Sequence, residues 1–282
     1  MPERRSVAMP PAAVLRAFRV PGKPARLPGG QGQAFRAGRI VLKPAVDDER
    51  TNWVSQFCLD ANYEGFRIPR PFRSNEDAFV FQGWQAWEWT PGDHRDGDWE
   101  AVVDLCIRFH RAIADVPRPD WVTNGMPIDP WTIADRVAWD EMPWTHHPRI
   151  APAVAEIRAC LREVDARPQL IHGDFGGNVL YADGLSPAII DFSPYWRPSG
   201  FAVGVVVADA IVWGGALSSL IETVTGIDGF DQLLARAELR RIIELDAANR
   251  LWGWDTIDEI DAHLPLVRTI VRICDDREGR FG

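Results

Sequence analysis

LIHGDFGGNVLYADGLSPAIIDF, residues 170–192, sets three polar groups among apolar ones. Asp174 follows the apolar strand Gln169–Ile171, Asn178 precedes Val179-Leu180-Tyr181, and Asp191 ends Ala188-Ile189-Ile190. Between the second and third runs, Ala182-Asp183-Gly184 supplies turn chemistry, which predicts a hairpin. Such a hairpin brings Asn178 and Asp191 to the same open end. Two oxygen donors there suit Mg²⁺, which takes one or two protein groups and completes its shell with phosphates and water. Asp174 is then placed to accept a proton from an attacking hydroxyl.

His172-Gly173-Asp174, then Asn178, then Ile189-Ile190-Asp191-Phe192 resembles the aminoglycoside phosphotransferase family, which includes choline-kinase-like and related small-molecule kinases. The resemblance implies an α+β, two-lobed protein-kinase-like fold with a small β-rich N-terminal lobe and a larger helical C-terminal lobe. It implies ATP and Mg²⁺ as cofactors. By the same resemblance Asp174 orients the acceptor hydroxyl, Asn178 and Asp191 hold Mg²⁺ against the phosphates, and His172 is a scaffold group. One spacing departs from the family. Its usual pattern has one residue more between the aspartate and the asparagine, where only Phe175, Gly176 and Gly177 stand here. The shorter loop must take another path, which the two glycines permit.

A nucleotide end lies upstream. Lys23 and Lys43 are the only lysines in an arginine-rich chain. Lys43 ends the apolar strand Ile40-Val41-Leu42, where kinase-like folds place the lysine that contacts the α- and β-phosphates. Gly29, Gly30 and Gly32 precede that strand and resemble the fold's glycine-rich loop, whose backbone N–H groups approach phosphate. The helix glutamate that pairs with the lysine in such folds has its nearest candidate in Glu49. FQGWQAWEWTPG, residues 81–92, resembles the hinge, with the backbone of Ala86, Trp87 and Glu88 meeting adenine.

Outward from these motifs, residues 1–90 read as a mixed, β-rich nucleotide-binding lobe and 91–282 as a helix-rich catalytic and substrate lobe. Helices are expected at 47–63, where Trp53, Val54, Phe57 and Leu59 recur near helical spacing, and at Trp99–Ala114. Further helices are expected at Pro130–Asp140, Ala153–Val164, Val203–Ser219, Asp228–Leu233, Ala237–Trp252 and Ile257–Arg277. Pro194–Pro198, directly after the metal aspartate, reads as a rigid loop. The last eighty residues carry acids and aromatics, among them Asp209, Trp213, Asp258 and Asp261, which fit a cationic acceptor.

The net charge of −9 excludes a general nucleic-acid binder, which needs a basic face. No apolar run has membrane-span length, and four dispersed cysteines form no zinc pattern. A soluble cytoplasmic enzyme acting on a small-molecule hydroxyl is expected, with no nucleic-acid or membrane partner. A second reading is a kinase-fold protein that binds nucleotide and works by interaction. A protein kinase is disfavoured, because Asp191-Phe192 continues as Ser193-Pro194 and no activation segment ending in APE follows.

Overall fold

The computed structural model describes residues 8–28, 32–124 and 126–278. It divides into two compact units. One holds the described residues of Glu3–His94 together with Asn178–Phe192, and the other those of Arg95–Gly177 and Ser193–Gly282. A single cut near residue 90 does not describe this, because Asn178–Phe192 returns to the N-terminal chain.

The first unit is built on a sheet. Its strands are β1 (Ala25–Arg26), β2 (Phe35–Ala37), β3 (Ile40–Pro44), β4 (Pro71–Phe72), β5 (Val80–Phe81) and β6 (Trp84–Glu88). The order is β1-β2-β3-β6-β4, with β5 also on β6. Gly38, at φ 58°, and Arg39 turn β2 into β3. Helix α1 (Ala12–Ala17) contributes Val14 to a core with Phe18, Phe35, Ile40, Leu42, Trp84 and Ala86.

Helix α2 (Asp48–Asp60) starts at Asp47, whose side chain accepts from the Arg50 N–H at 2.7 Å. Its buried face is Thr51, Ser55 and Cys58, not Trp53, Val54, Phe57 and Leu59. The aromatics do other work. Trp53 stacks on Phe57 with centroids 5.5 Å apart, and Phe57 stacks on Phe192 at 4.9 Å, which anchors the residue after Asp191 to α2.

The expected hairpin forms from β8 (Val179–Leu180) and β9 (Ala188–Ile189), with Val179 opposite Ile189. Backbone bonds fasten it to the sheet unit. Ile189 N–H donates to the Arg67 carbonyl at 2.8 Å, and Asp93 and Tyr181 exchange two bonds of 2.9 Å. The Arg67 Nε–H also donates to the Ser186 carbonyl at 2.7 Å. Gly92 sits at φ 141°, and a Cβ there would lie 2.9 Å from the Tyr181 carbonyl oxygen, so only glycine lets the chain pass this close.

The second unit is helical around one antiparallel pair. Strand β7 (Pro168–His172) lies against β10 (Pro194–Pro198), with His172 opposite Pro194. The segment expected as a loop is therefore a strand. Its Arg197 is held by Asp135 at 2.7 Å and Glu141 at 2.5 Å and covers the Trp139 ring. Helices α3 (Trp99–Ala112), α4 (Trp121–Asn124), α5 (Pro130–Ala138), α6 (Ala151–Cys160), α7 (Ser199–Val212), α8 (Leu220–Thr223), α9 (Phe230–Trp252) and α10 (Ile260–Glu278) complete it. The two helices expected within 228–252 are one, because no breaker separates Leu233 from Ala237. Gly204 of α7 lets α9 approach closely, since a Cβ there would lie 3.0 Å from the Leu233 carbonyl oxygen.

Candidate active site

The sheet unit gathers Lys43, Asn178 and Asp191. The Ile190 N–H donates to the Asn178 carbonyl at 2.9 Å, so the hairpin sets Asn178 across from Ile190 with Asp191 next in line. Asp191 has φ 50°, the left-handed region that aspartate enters more readily than most residues and that often marks functional positions. Its carboxylate forms an ion pair with the Lys43 ammonium, which also lies 5.5 Å from the centre of the Trp87 ring. The shorter loop is absorbed by a 3₁₀ turn, Gly176–Asn178, the tighter helix that advances with fewer residues per turn.

The oxygen donors of Asn178 and Asp191 are hard ligands of the kind Mg²⁺ selects. Among the described residues no three His, Cys, Asp or Glu side chains gather as a metal site.

Other expected positions fall differently. Glu49 is exposed in the first turn of α2 and makes no ion pair among the described residues, and Lys43 pairs with Asp191 instead. Ala86, Trp87 and Glu88 lie inside the sheet. Ala86 faces Leu42 on one side and Phe72 on the other, and Trp87 faces Val41 and Pro71. The Glu88 N–H is spent on the Arg70 carbonyl at 2.8 Å. The Trp89 N–H is likewise spent, on the Arg39 carbonyl at 2.8 Å, so the chain leaves the sheet after Trp89. Gly32 has φ 64° and nothing within 4 Å of a Cβ position, and its carbonyl accepts from the Arg26 guanidinium. Gly29 and Gly30 lie outside the described residues.

The helical unit holds Asp174 through a relay of histidines. His110 of α3 donates from Nδ1 to the Cys106 carbonyl at 2.7 Å and accepts the His172 N–H on Nε2 at 3.0 Å. His172 in turn accepts the Asp174 N–H on Nδ1 at 3.2 Å. Burial drives His110 down to about 3 against the opposing Cys106 bond, so it is neutral and acts as a fixed strut. Both rings pack on Phe175, which is fully buried.

Residues 44–195 match the family described as the phosphotransferase enzyme family, APH. The chain belongs to that family. No curated protein matches it. Among solved structures it is similar to the AMP-bound spectinomycin phosphotransferase APH(9)-Ia, at 14% identity and TM-score 0.60, covering 92% of this chain and 96% of that one. It is similar to a thermostable mutant of aminoglycoside phosphotransferase APH(4)-Ia with AMP-PNP and hygromycin B, at 14% identity and TM-score 0.60, covering 92% and 97%. Amicoumacin kinase hAmiN, with AMP-PNP, Ca²⁺ and its ligand, matches at 12% identity and TM-score 0.58, covering 88% of each chain. The fold of this chain is thus the α+β kinase-like one, with a small sheet-rich N-terminal part and a larger helical part.

Sequence reading missed one group in this chain. Arg241 of α9 donates from Nη2 to Asp174 Oδ1 at 3.0 Å and grips Asp209 with two bonds of 2.7 and 2.5 Å. Burial works to raise the Asp174 carboxyl, but the charge and hydrogen bond of Arg241, with His172 and Arg240 behind them, hold it below its ordinary value. Burial pushes Asp209 up to about 6 against the pull of Arg241. The signal available was Arg240-Arg241 set inside the apolar helix run LRRIIELDAA. Two of the acids expected to hold a cationic acceptor are also matched, since Arg149 takes Asp258 at 2.9 Å and Asp261 at 2.8 Å.

Proposed function

We propose that the chain transfers the γ-phosphoryl group of ATP to a hydroxyl of a small molecule in the cytoplasm. The observation that carries this reading is the meeting of Lys43 with Asp191 beside Asn178, the charge arrangement that nucleotide phosphates and their cation require. Lys43 would exchange Asp191 for the α- and β-phosphates, and Gly32 would offer its backbone to the phosphates. Trp89–Gly92 would meet adenine. Asn178 and Asp191 would hold Mg²⁺, whose charge neutralises the phosphate oxygens.

Asp174 orients the acceptor hydroxyl. The acceptor oxygen bonds to the γ-phosphorus as the bond from that phosphorus to the β–γ bridging oxygen breaks. ADP leaves with that electron pair, and the hydroxyl proton passes to Asp174. A carboxylate held ionised by Arg241 is a weak base, so it works mainly by aim, taking the proton late.

The net charge of −9 suits a cationic acceptor. Asp209, Asp258 and Asp261 are already matched by arginines, so such an acceptor would share these acids with them.

The test is incubation of the full chain with ATP, Mg²⁺ and a panel of hydroxyl compounds that includes spectinomycin, hygromycin B and amicoumacin. Products are read by mass. A compound gaining one phosphoryl group, lost in Asp174→Asn, supports the proposal. ATP binding without transfer to any compound, and without ATP hydrolysis, would favour a nucleotide-binding interaction module, a reading to which the exposed Glu49 lends weight.

A further inference from the structure

Arg241 makes and breaks no bond in the proposed transfer, yet it is bonded to the group that orients the acceptor. It lies on α9, a different element from the loop of Asp174, and only 7% of its side chain is exposed. Three carboxylates surround it. Nε and Nη2 hold the two oxygens of Asp209, Nη2 also reaches Asp174 Oδ1, and Nη1 donates to Glu244 Oε2 at 2.8 Å.

The neighbouring Arg240 forms an ion pair with the other oxygen of Glu244 at 2.9 Å and donates from Nη1 to the Gly173 carbonyl at 2.6 Å. One turn of α9 therefore grips both the backbone before Asp174 and its carboxylate. Burying so many charges is unfavourable unless their geometry is well satisfied, and apolar packing would stabilise a helix crossing at least as well. The planar guanidinium supplies what packing cannot. Held along one edge by Asp209, it has a fixed direction in which its outer N–H points, and that direction is Asp174.

We infer that Arg241 is a positioning residue for phosphoryl transfer: braced by Asp209 and Glu244, it fixes the Asp174 carboxylate for the acceptor hydroxyl. This rests on the reading of Asp174 given above.

The experiment uses the full chain with ATP, Mg²⁺ and water as the acceptor, read as inorganic phosphate release. It is paired with a ¹³C carboxyl NMR titration of aspartate-labelled protein, in which Asp174→Asn assigns the Asp174 signal. In Arg241→Gln, kcat is expected to fall about 100-fold, with KM for ATP changed by less than about twofold. The Asp174 titration is expected to move upward. Arg241→Lys keeps the charge and loses the fork, so the titration stays low while kcat remains about tenfold down.

Should Arg241→Gln fail to fold with its carboxylates unmatched, the double variant Arg241→Gln, Asp209→Asn removes the repulsion and is read the same way. Wild-type kcat and an unmoved Asp174 titration in a folded Arg241 variant, with Asp174→Asn inactive, would overturn the inference alone. Unchanged hydrolysis in Asp174→Asn would overturn the role of Asp174 and this inference together.

Discussion

Lys43 and Asp191 stand 148 residues apart in the chain and are joined by an ion pair. Lys43 comes from the end of β3, and Asp191 follows β9 in a hairpin that returns to the same compact unit. On the function proposed above, each would exchange the other for a ligand: phosphate for the lysine, a divalent ion for the aspartate. The pair is partly exposed, so it adds little to stability in itself.

Lys43→Met therefore separates binding from folding. It is expected to weaken ATP affinity by about tenfold or more, through lost contact with the phosphates. It is expected to change unfolding free energy by less than about 1 kcal/mol. Calorimetric titration and urea denaturation of the same preparation check both. Unaltered affinity would remove Lys43 from the site.

Asp209 predicts a pH dependence with a definite sign. Burial pushes its carboxyl from 3.8 up to about 6, with Asp174 and Glu244 adding to the push and Arg241 opposing it. The native state thus holds a proton that the unfolded chain has already released. The contribution of Asp209 is complete below 3.8 and is lost as pH rises to about 6. Asp174 acts oppositely, because its lowered value gives stability that is present above 3.8 and lost as pH falls through the folded value. Urea midpoints of wild type minus those of Asp209→Asn should fall with pH across that upper window. A flat or rising difference contradicts the assignment.

Gly173 tests the scaffold beneath Asp174. A Cβ there would lie 2.3 Å from the Tyr195 ring, whose strand β10 pairs with β7. Gly173→Ala must displace that ring and is expected to destabilise by about 1–3 kcal/mol. Because the Gly173 carbonyl is also held by Arg240, turnover should fall even at temperatures where the variant is folded. Full activity with unchanged stability would show that the loop yields freely.

The cysteines give a chemical check on the core. Cys58, Cys106, Cys160 and Cys274 are all free and buried. Burial pushes the thiols of Cys58 and Cys274 up to about 12, Cys58 against the opposing charge of Lys43, and raises Cys106 well above its ordinary value. Ellman's reagent at pH ~8 should find no fast-reacting thiol in the native protein and four after denaturation. Rapid native reaction would mean that one of these sites opens.

The hairpin of 179–189 was legible because Ala182-Asp183-Gly184 has local turn chemistry and the runs on either side are apolar. Asp174, Asn178 and Asp191 could be singled out for the same reason, as polar residues at the ends of apolar strands. The helix at 47–63 was legible but not its buried face, since Trp53 and Phe57 recur like core residues and instead form the aromatic stack onto Phe192. Strand β10 was hidden by its two prolines, which are tolerated at the ends of a two-stranded pair. Arg241 could not be placed by any local rule. Its partners Asp174, Asp209 and Glu244 come from three elements, and only tertiary packing of α7, α9 and the loop brings them together.

The central claim is that this chain binds ATP with Mg²⁺ for phosphoryl transfer. It is tested most directly by calorimetric titration of AMP-PNP into wild type and Asp191→Ala, each with Mg²⁺ and with chelator. Wild type is expected to bind saturably and more tightly with Mg²⁺, and Asp191→Ala to lose that Mg²⁺ dependence. Absence of nucleotide binding by folded wild-type protein in Mg²⁺ would contradict the claim.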